Sequence, residues 1–357
     1  MIRVVLVILK IVSFFLVLLM VSDAGIRASA EFQPSVSAEA CVLMYEDGTC
    51  LYEKNPDDKK LIASTTKIMT AIVALENSEL NDKVKIKEKH CNVEGSSMYL
   101  KPGTTYTVKE LLLGLLLASG NDAALSLADH VSGNNKEFAE LMNEKAKELG
   151  MDNSSFSNPH GLDERGHYSS ARDLAKLMLY CMQNDDFRAL VSTYHATIKE
   201  QSYTNHNKLL KSYPGCIGGK TGFTSAAGRC LVSCVEKDGM RLVCVTLSDP
   251  DDWQDHGKLY DYAFENYYLR DLTAGLEYQV PMISGNKKSI SVIPDRDIKI
   301  FLEKDVKVEI RAVVPPFVFP PLKIGETAGK ICVIINNNVV EEIPLVYAEE
   351  AVTAFPV

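Results

Sequence analysis

Apolar residues form one long block at the start of the chain and recur afterwards at helix and strand periods. Val4 to Val21 is almost wholly apolar, broken by Lys10 and Ser13, with Arg3 before it and Ala28-Ser29-Ala30 after it. A positive start, an apolar run and an A-x-A end make a secretory signal peptide. Residues 1–30 are therefore expected to be cleaved and the rest of the chain exported. An uncleaved anchor is the alternative, because the run approaches the length that spans a bilayer. Ala40 to Tyr45 and Cys50 to Glu53 read as strands joined by a turn holding Asp47-Gly48, a strong hairpin signal. Ile68, Met69, Ile72, Val73 and Leu75 predict a helix that starts near Ser64 and runs to about Glu76. Val108 to Ala118 is apolar nearly all round and can be capped by Thr107. That predicts a helix buried at the domain centre, too short to cross a membrane. Further helices are expected over Asp122–Val131, Lys136–Leu149 and Ala171–Met182, the second ended by Gly150 and the third capped by Ser170. Lys208 to Gly219 is polar and turn-rich. Gly228 to Val235 and Met240 to Leu247 alternate as strands around Lys237-Asp238-Gly239, and Trp253 to Leu269 closes the region as a helix. Strands that open and close a region filled with helices predict an α+β domain, an antiparallel sheet with helices packed on it.

The pattern changes after about Asp271. Ser289–Ile293, Ile298–Leu302, Val306–Val313, Lys330–Ile335 and Val339–Val346 read as short strands, with Asn336-Asn337-Asn338 turning the last pair. Pro315, Pro316, Pro320 and Pro321 mark an irregular stretch among them. A small all-β domain is expected. The predicted organisation is thus 1–30 signal peptide, 31–272 mixed domain and 273–357 β-rich domain.

Composition narrows the function. A length of 357 residues suits two domains, and 46% hydrophobic residues is ordinary for a globular chain. A net charge of −9 without a basic run argues against a nucleic-acid partner. All nine cysteines follow residue 30, in a chain bound for an oxidising compartment. Their odd number leaves at least one unpaired, and sequence does not pair the others. Cys41 and Cys50 flank the first hairpin and could face each other. Cys230 and Cys234 share one strand face and read as core. The seven histidines show no metal-binding spacing, so neither metal nor cofactor is expected.

The chemistry lies in three short stretches. In Ser64-Thr65-Thr66-Lys67 the serine and lysine are three residues apart at a helix start, so they share a face and can hydrogen-bond. A serine needs an adjacent base to act as a nucleophile, and a lysine becomes one only if burial or a neighbouring cation lowers its pKa. Ser119-Gly120-Asn121 follows the apolar helix, which would carry Ser119 and Asn121 deep into a cleft, with Gly120 suited to a C-cap or tight turn. Lys220-Thr221-Gly222 would lie on a strand lining that cleft. Lys220 would supply positive charge, Thr221 would hold a carboxylate, and Gly222 would let substrate approach the backbone. The backbone N–H groups of Ser64 and Phe223 are the candidates for an oxyanion hole.

These three stretches, in this order, are similar to the motif set of penicillin-binding proteins and class A β-lactamases. With Asn158-Pro159-His160-Gly161-Leu162-Asp163, His167-Tyr168-Ser169-Ser170 and Gly222-Phe223-Thr224 around them, the chain resembles the low-molecular-mass penicillin-binding proteins, serine-type D-alanyl-D-alanine carboxypeptidases of the peptidase S11 family. Glycine in the middle of the second motif favours the carboxypeptidases. The resemblance implies a penicillin-recognising transpeptidase-like fold followed by a β-rich domain, and a bacterial envelope enzyme that trims the last D-Ala from peptidoglycan pentapeptides. It implies Ser64 as nucleophile, Lys67 as general base and Ser119 as an aid to proton transfer. Asn121 and Lys220 would position substrate, Thr221 would hold its terminal carboxylate, and β-lactams would acylate Ser64. Many members end in an amphipathic membrane-anchoring helix; no such pattern is seen here, which leaves membrane association open. Two other readings remain at this point. A penicillin-recognising sensor or wall-binding module would acylate without turnover. A β-lactamase would deacylate fast, although no glutamate can be assigned to activate its water.

Overall fold

Strands with both faces buried lie at the centre of the fold. The computed structural model describes residues 34–354, so the predicted signal peptide falls outside it. In chain order the strands are β1 Ala40–Tyr45, β2 Cys50–Lys54, β3 Lys83–Lys85, β4 Thr105–Thr107, β5 His195–Ile198, β6 Gln201–Thr204, β7 Cys216–Thr224, β8 Gly228–Lys237 and β9 Met240–Leu247. They are followed by β10 Tyr267–Asp271, β11 Tyr278–Pro281, β12 Ser289–Pro294, β13 Lys299–Glu303, β14 Val308–Val313, β15 Thr327–Ile335 and β16 Asn338–Tyr347. The main sheet is antiparallel, in the order β2-β1-β9-β8-β7. Alternate residues of its strands enter two cores. Val42, Met44, Val232, Cys234, Val243 and Val245 join the core built with the Lys67–Glu76 and Val108–Leu117 helices. Cys41, Leu43, Tyr45, Leu242 and Cys244 pack instead with Leu259 and Tyr260 of the Asp252–Asn266 helix. Helices therefore cover both faces, as expected of an α+β layer arrangement.

The central helix forms as its residues dictate. Thr107 caps it in a box with Glu110, and Leu111, Leu112, Leu115, Leu116 and Leu117 are buried. The flanking helices run over Asn121–Ser132, Asn135–Glu148, Ala171–Cys181 and Asp185–Val191. Between them and β7 lie the β5–β6 hairpin, in a stretch assigned no element from sequence, and a short Leu209–Ser212 helix within the Lys208–Gly219 stretch read as turn-rich.

The second sheet, β11-β12-β16-β15-β14, is also antiparallel and has its own core of Val280, Ile290, Val292, Ile331, Val333, Ile343 and Leu345. Asn336 and Asn337 take φ of 49° and 65° in the tight turn joining β15 to β16, as asparagines tolerate.

Three local expectations change. The last helix stops at Asn266 rather than Leu269; Tyr267 leaves it to start β10, which pairs with β13 and stacks its ring on Phe301. β13 thus belongs to that two-stranded pair and not to the second sheet. Cys41 and Cys50 do not face each other. The β1–β2 register sets Cys41 against Lys54 and, past a bulge, Cys50 against Met44. All nine cysteines are free thiols, and burial drives Cys41, Cys181, Cys234 and Cys244 far above the ordinary thiol range.

Candidate active site

The turn that presents Ser64 is braced from two sides. Ala63–Thr66 forms one 3-10 turn that runs directly into the Lys67–Glu76 helix. Thr65 and Thr66 donate their hydroxyls back to the carbonyls of Ile62 and Ala63, at 2.6 and 2.8 Å. Ala63 sits at φ 46°, a costly conformation for a residue with a Cβ. The loop 158–167 presses on this turn. Gly161 comes so close that a Cβ there would stand 2.0 Å from the Ala63 carbonyl oxygen. His167 Nε2 lies 2.8 Å from Thr66 Oγ1. That hydroxyl already donates to Ala63, so the imidazole donates through Nε2 and accepts from the Ser157 amide at Nδ1, 3.1 Å away. His167 is thereby fixed as the neutral tautomer, and burial brings its pKa down to about 4.

Lys67 is fully buried. Its Nζ reaches Asn121 Oδ1 at 2.7 Å, the His160 carbonyl at 2.6 Å and Ser64 Oγ at 2.9 Å. A neutral amine has two N–H groups and one lone pair. Asn121 and His160 can accept the two hydrogens, which leaves the lone pair facing the Ser64 hydroxyl. Burial above all, and then the neighbouring Lys220, push the Lys67 pKa well below the ordinary lysine range, against a smaller opposing pull from Asp122. The arrangement suits a base that takes the serine proton.

Lys220 is the second buried amine. It donates to Ser119 Oγ at 3.1 Å and to the Thr221 carbonyl at 2.8 Å, and burial lowers its pKa to about 7. Ser119 is the residue in the left-handed region, at φ 58°, whereas Gly120 has φ −61°. The glycine was expected to make the turn. It is required instead by crowding: a Cβ would meet Asp122 Oδ1 at 2.8 Å and the Met98 amide at 3.3 Å. Asn121 opens the next helix and ties two walls together, accepting from Lys67 and donating to the Glu94 carbonyl at 2.6 Å.

Lys220, Thr221 and Gly222 lie on β7, an edge of the main sheet. An edge strand has unpaired backbone groups that an extended peptide can use. A Cβ on Gly222 would meet Ile62 O at 2.9 Å and the Ser64 amide at 3.0 Å, so glycine lets the nucleophile turn close on the strand. Ser64, Ser119, Thr221, Gly222 and Phe223 line one cleft of about 310 Å³, and the Phe223 ring stands 67% exposed at its edge. All eight residues singled out from sequence fall in this cluster.

Sequence reasoning missed other parts. The His160 carbonyl is a backbone ligand of Lys67, so residue type could not reveal it. Asp122 accepts from Ser97 Oγ and the amides of Met98 and Leu100, fixing the cleft lip. Its position directly after Asn121 was the available signal. Ser96, His206, Arg229, Asp252 and Trp253 also line the cleft, from segments without a motif.

A buried amine within hydrogen-bond reach of a serine, beside a second buried amine on a strand edge, is the arrangement of a serine-type acyl-transfer enzyme. Residues 27–251 match the D-alanyl-D-alanine carboxypeptidase family, peptidase S11, and residues 272–353 match the C-terminal domain of penicillin-binding protein 5. The chain belongs to this family of serine-type hydrolases, the low-molecular-mass penicillin-binding proteins. D-alanyl-D-alanine carboxypeptidase DacF of Bacillus subtilis is 34% identical over 88% of this chain and 85% of its own. DacC of Escherichia coli is 33% identical over 88% and 84%. Penicillin-binding protein 5 of Haemophilus influenzae superposes with a TM-score of 0.69 at 29% identity, over 90% of this chain and 99% of its own.

Proposed function

We propose that this enzyme removes the terminal D-alanine from peptidoglycan stem peptides ending in D-Ala-D-Ala, through an acyl-enzyme on Ser64. The buried Lys67 amine 2.9 Å from Ser64 Oγ, with Asn121 Oδ1 and the His160 carbonyl at its other two contacts, is the observation that carries this reading. Lys67 takes the Ser64 proton as Oγ attacks the penultimate carbonyl. The backbone N–H groups of Ser64 and Phe223 receive the developing oxyanion. Ser119, held by Lys220, relays the proton: it gives its hydroxyl hydrogen to the departing D-alanine amine and takes in its place the one acquired by Lys67, which returns Lys67 to the neutral amine. Asn121 has one amide N–H left for the substrate carbonyl, and Thr221 binds the terminal carboxylate. Water then hydrolyses the ester, with Lys67 again as base. β-Lactams would acylate Ser64 by the same attack. No cofactor enters this scheme.

We also assign residues 1–30 as an export signal, 31–272 as the catalytic domain and 273–357 as a β-rich domain. The separate apolar core that begins at Leu272 supports the second boundary. An extracytoplasmic location follows from the proposed substrate. Among the described residues no helix is long and apolar enough to cross a membrane.

The test is D-alanine release from a peptide ending in D-Ala-D-Ala, by the chain from Glu31 onward and by its Ser64→Ala variant. Many turnovers are expected from the first, and a loss of at least about 10³-fold from the second. A folded, penicillin-labelled protein that releases no D-alanine would overturn the reading in favour of a sensor. Rapid turnover of a chromogenic β-lactam would favour a β-lactamase.

A further inference from the structure

The oxyanion hole needs the Ser64 N–H to point into the cleft, and one peptide plane sets where that N–H points. Ser64 is the second residue of the Ala63–Thr66 turn, where N–H groups have no partner within the helix. The Ala63–Ser64 bond is trans, so its C=O and its N–H point in opposite directions. Whatever grips the Ala63 carbonyl therefore aims the Ser64 N–H. The two ends of this plane face different walls. A Cβ on Gly222 of β7 would stand 3.0 Å from the Ser64 nitrogen, and a Cβ on Gly161 of the loop behind would stand 2.0 Å from the Ala63 oxygen.

The grip on that carbonyl is a chain of three hydrogen bonds that all run one way. The Ser157 amide donates to His167 Nδ1 at 3.1 Å, His167 Nε2 donates to Thr66 Oγ1 at 2.8 Å, and the Thr66 hydroxyl donates to the Ala63 carbonyl at 2.8 Å. Ser157 sets the direction. A backbone N–H only donates, so Nδ1 accepts and the neutral ring carries its proton on Nε2. Thr66 Oγ1 accepts from that nitrogen, which leaves its own hydrogen for Ala63. In a water-free setting each bond strengthens the next. His167 is buried, its main-chain N–H is bonded to the Glu164 carbonyl at 3.0 Å, and Phe156 meets its ring edge-on with centroids 5.8 Å apart. The imidazole is thus fixed from every side. Ala63 needs such restraint because φ 46° is costly for an alanine, and a loosened turn would relax away from it. His167 itself does not line the cleft, so it acts on the reaction through Thr66 or not at all.

We propose that His167 is a positioning residue for the oxyanion hole: acting through Thr66, it locks the Ala63–Ser64 peptide so that the Ser64 N–H stays aimed at the carbonyl under attack. This deepens the acyl-transfer reading and rests on it. The carbonyl oxygen gains its charge only during attack, so His167 serves the transition state and not the binding of substrate.

Three readouts on three variants test it. The readouts are kcat and KM for D-alanine release, the rate of acylation by penicillin followed by intact mass, and the Kd of the boronic acid analogue of N-acetyl-D-alanine. In the last, Ser64 Oγ bonds to boron as its proton passes to Lys67, and the tetrahedral anion places an oxygen in the hole. His167→Leu removes the donor, and Thr66→Val breaks the next link. Each should lower kcat/KM, penicillin acylation and boronate affinity together, by about 10- to 100-fold, with KM for the peptide much less affected. The double variant should lose little more than either single one, because the two residues form one chain. His167→Gln keeps a donor and should restore most of the loss, which mere filling of space would not require. Unchanged kcat/KM in a folded His167→Leu protein, or a loss of kcat/KM with boronate affinity intact, would overturn the proposal. If His167→Leu does not fold, a folded Thr66→Val protein with unaltered acylation and boronate affinity would overturn it equally. Absence of D-alanine release by the wild type would instead strike the carboxypeptidase reading, and penicillin acylation and boronate affinity would still decide the role of His167.

Discussion

The two sheet-based regions distribute polarity in opposite ways. The region up to Asp271 buries Lys67, Lys220, Asp122, Asp173, Ser119, Asn121, His167 and His256; beyond it, Thr273 is the buried polar residue among those described. The exposed large apolar side chains reverse the division. Tyr99 and Phe223 stand out in the first region, whereas Ile283, Phe317, Phe319, Ile324, Val339, Val340 and Val352 are exposed in the second. Burying an amine costs stability unless it is paired, so a fold keeps two such lysines only where they do something else. Among its described residues the second region buries no such amine. Active-site design and ordinary core packing are thus separated along one chain.

Single substitutions can break or sharpen that contrast. The largest effect is expected at Lys67. Lys67→Ala should cut kcat/KM by about 10³–10⁴-fold, and steady-state D-alanine release checks it. In the second region the effect should move from rate to stability. Ile331→Ala opens a cavity in an all-apolar core and should cost about 2–5 kcal/mol in denaturant unfolding, with kcat unchanged at temperatures where the protein stays folded.

Lys220 tests whether buried charge is a stability liability. Its folded pKa of about 7 lies below the roughly 10.4 of an unfolded lysine. Between these values the unfolded chain binds more protons, so the contribution of this group to stability rises with pH; below about 7 the full penalty is present. Lys220→Met removes the penalty along with the amine proposed to position substrate. Its melting temperature relative to the wild type should be highest below pH 7 and should decline steadily towards pH 10, as a series of thermal scans would show. The smallest effect is expected at Ser119, which holds a left-handed conformation without being glycine. Ser119→Gly should be about 1 kcal/mol more stable than Ser119→Ala, while both lose the hydroxyl that Lys220 holds.

What the sequence revealed follows the same division. Ser64 and Lys67, Ser119 and Asn121, and Lys220 to Gly222 were legible because each pair or triplet is local, and helix and strand periods fix its geometry. The apolar run of the Val108–Leu117 helix and the Asn336–Asn338 turn were legible for the same reason. Contacts made across the chain were not. The His160 carbonyl on Lys67 depends on a loop 93 residues away, and its atom is common to every residue type. The register that separates Cys41 from Cys50 depends on a bulge between Leu43 and Met44 that no residue announces. Tyr267 continued a helical apolar pattern but was captured by pairing with Glu303 and stacking on Phe301. Arg229 and Asp252 meet across the cleft wall from positions 23 residues apart, without any motif to join them.

The central claim is that Ser64, activated by Lys67, carries the acyl group. Peptide mass mapping of the protein after brief exposure to penicillin tests it most directly. The account predicts one adduct, on the peptide containing Ser64, which disappears in Ser64→Ala and forms far more slowly in Lys67→Ala. An adduct on any other residue, or unimpaired labelling of Ser64→Ala, would contradict it.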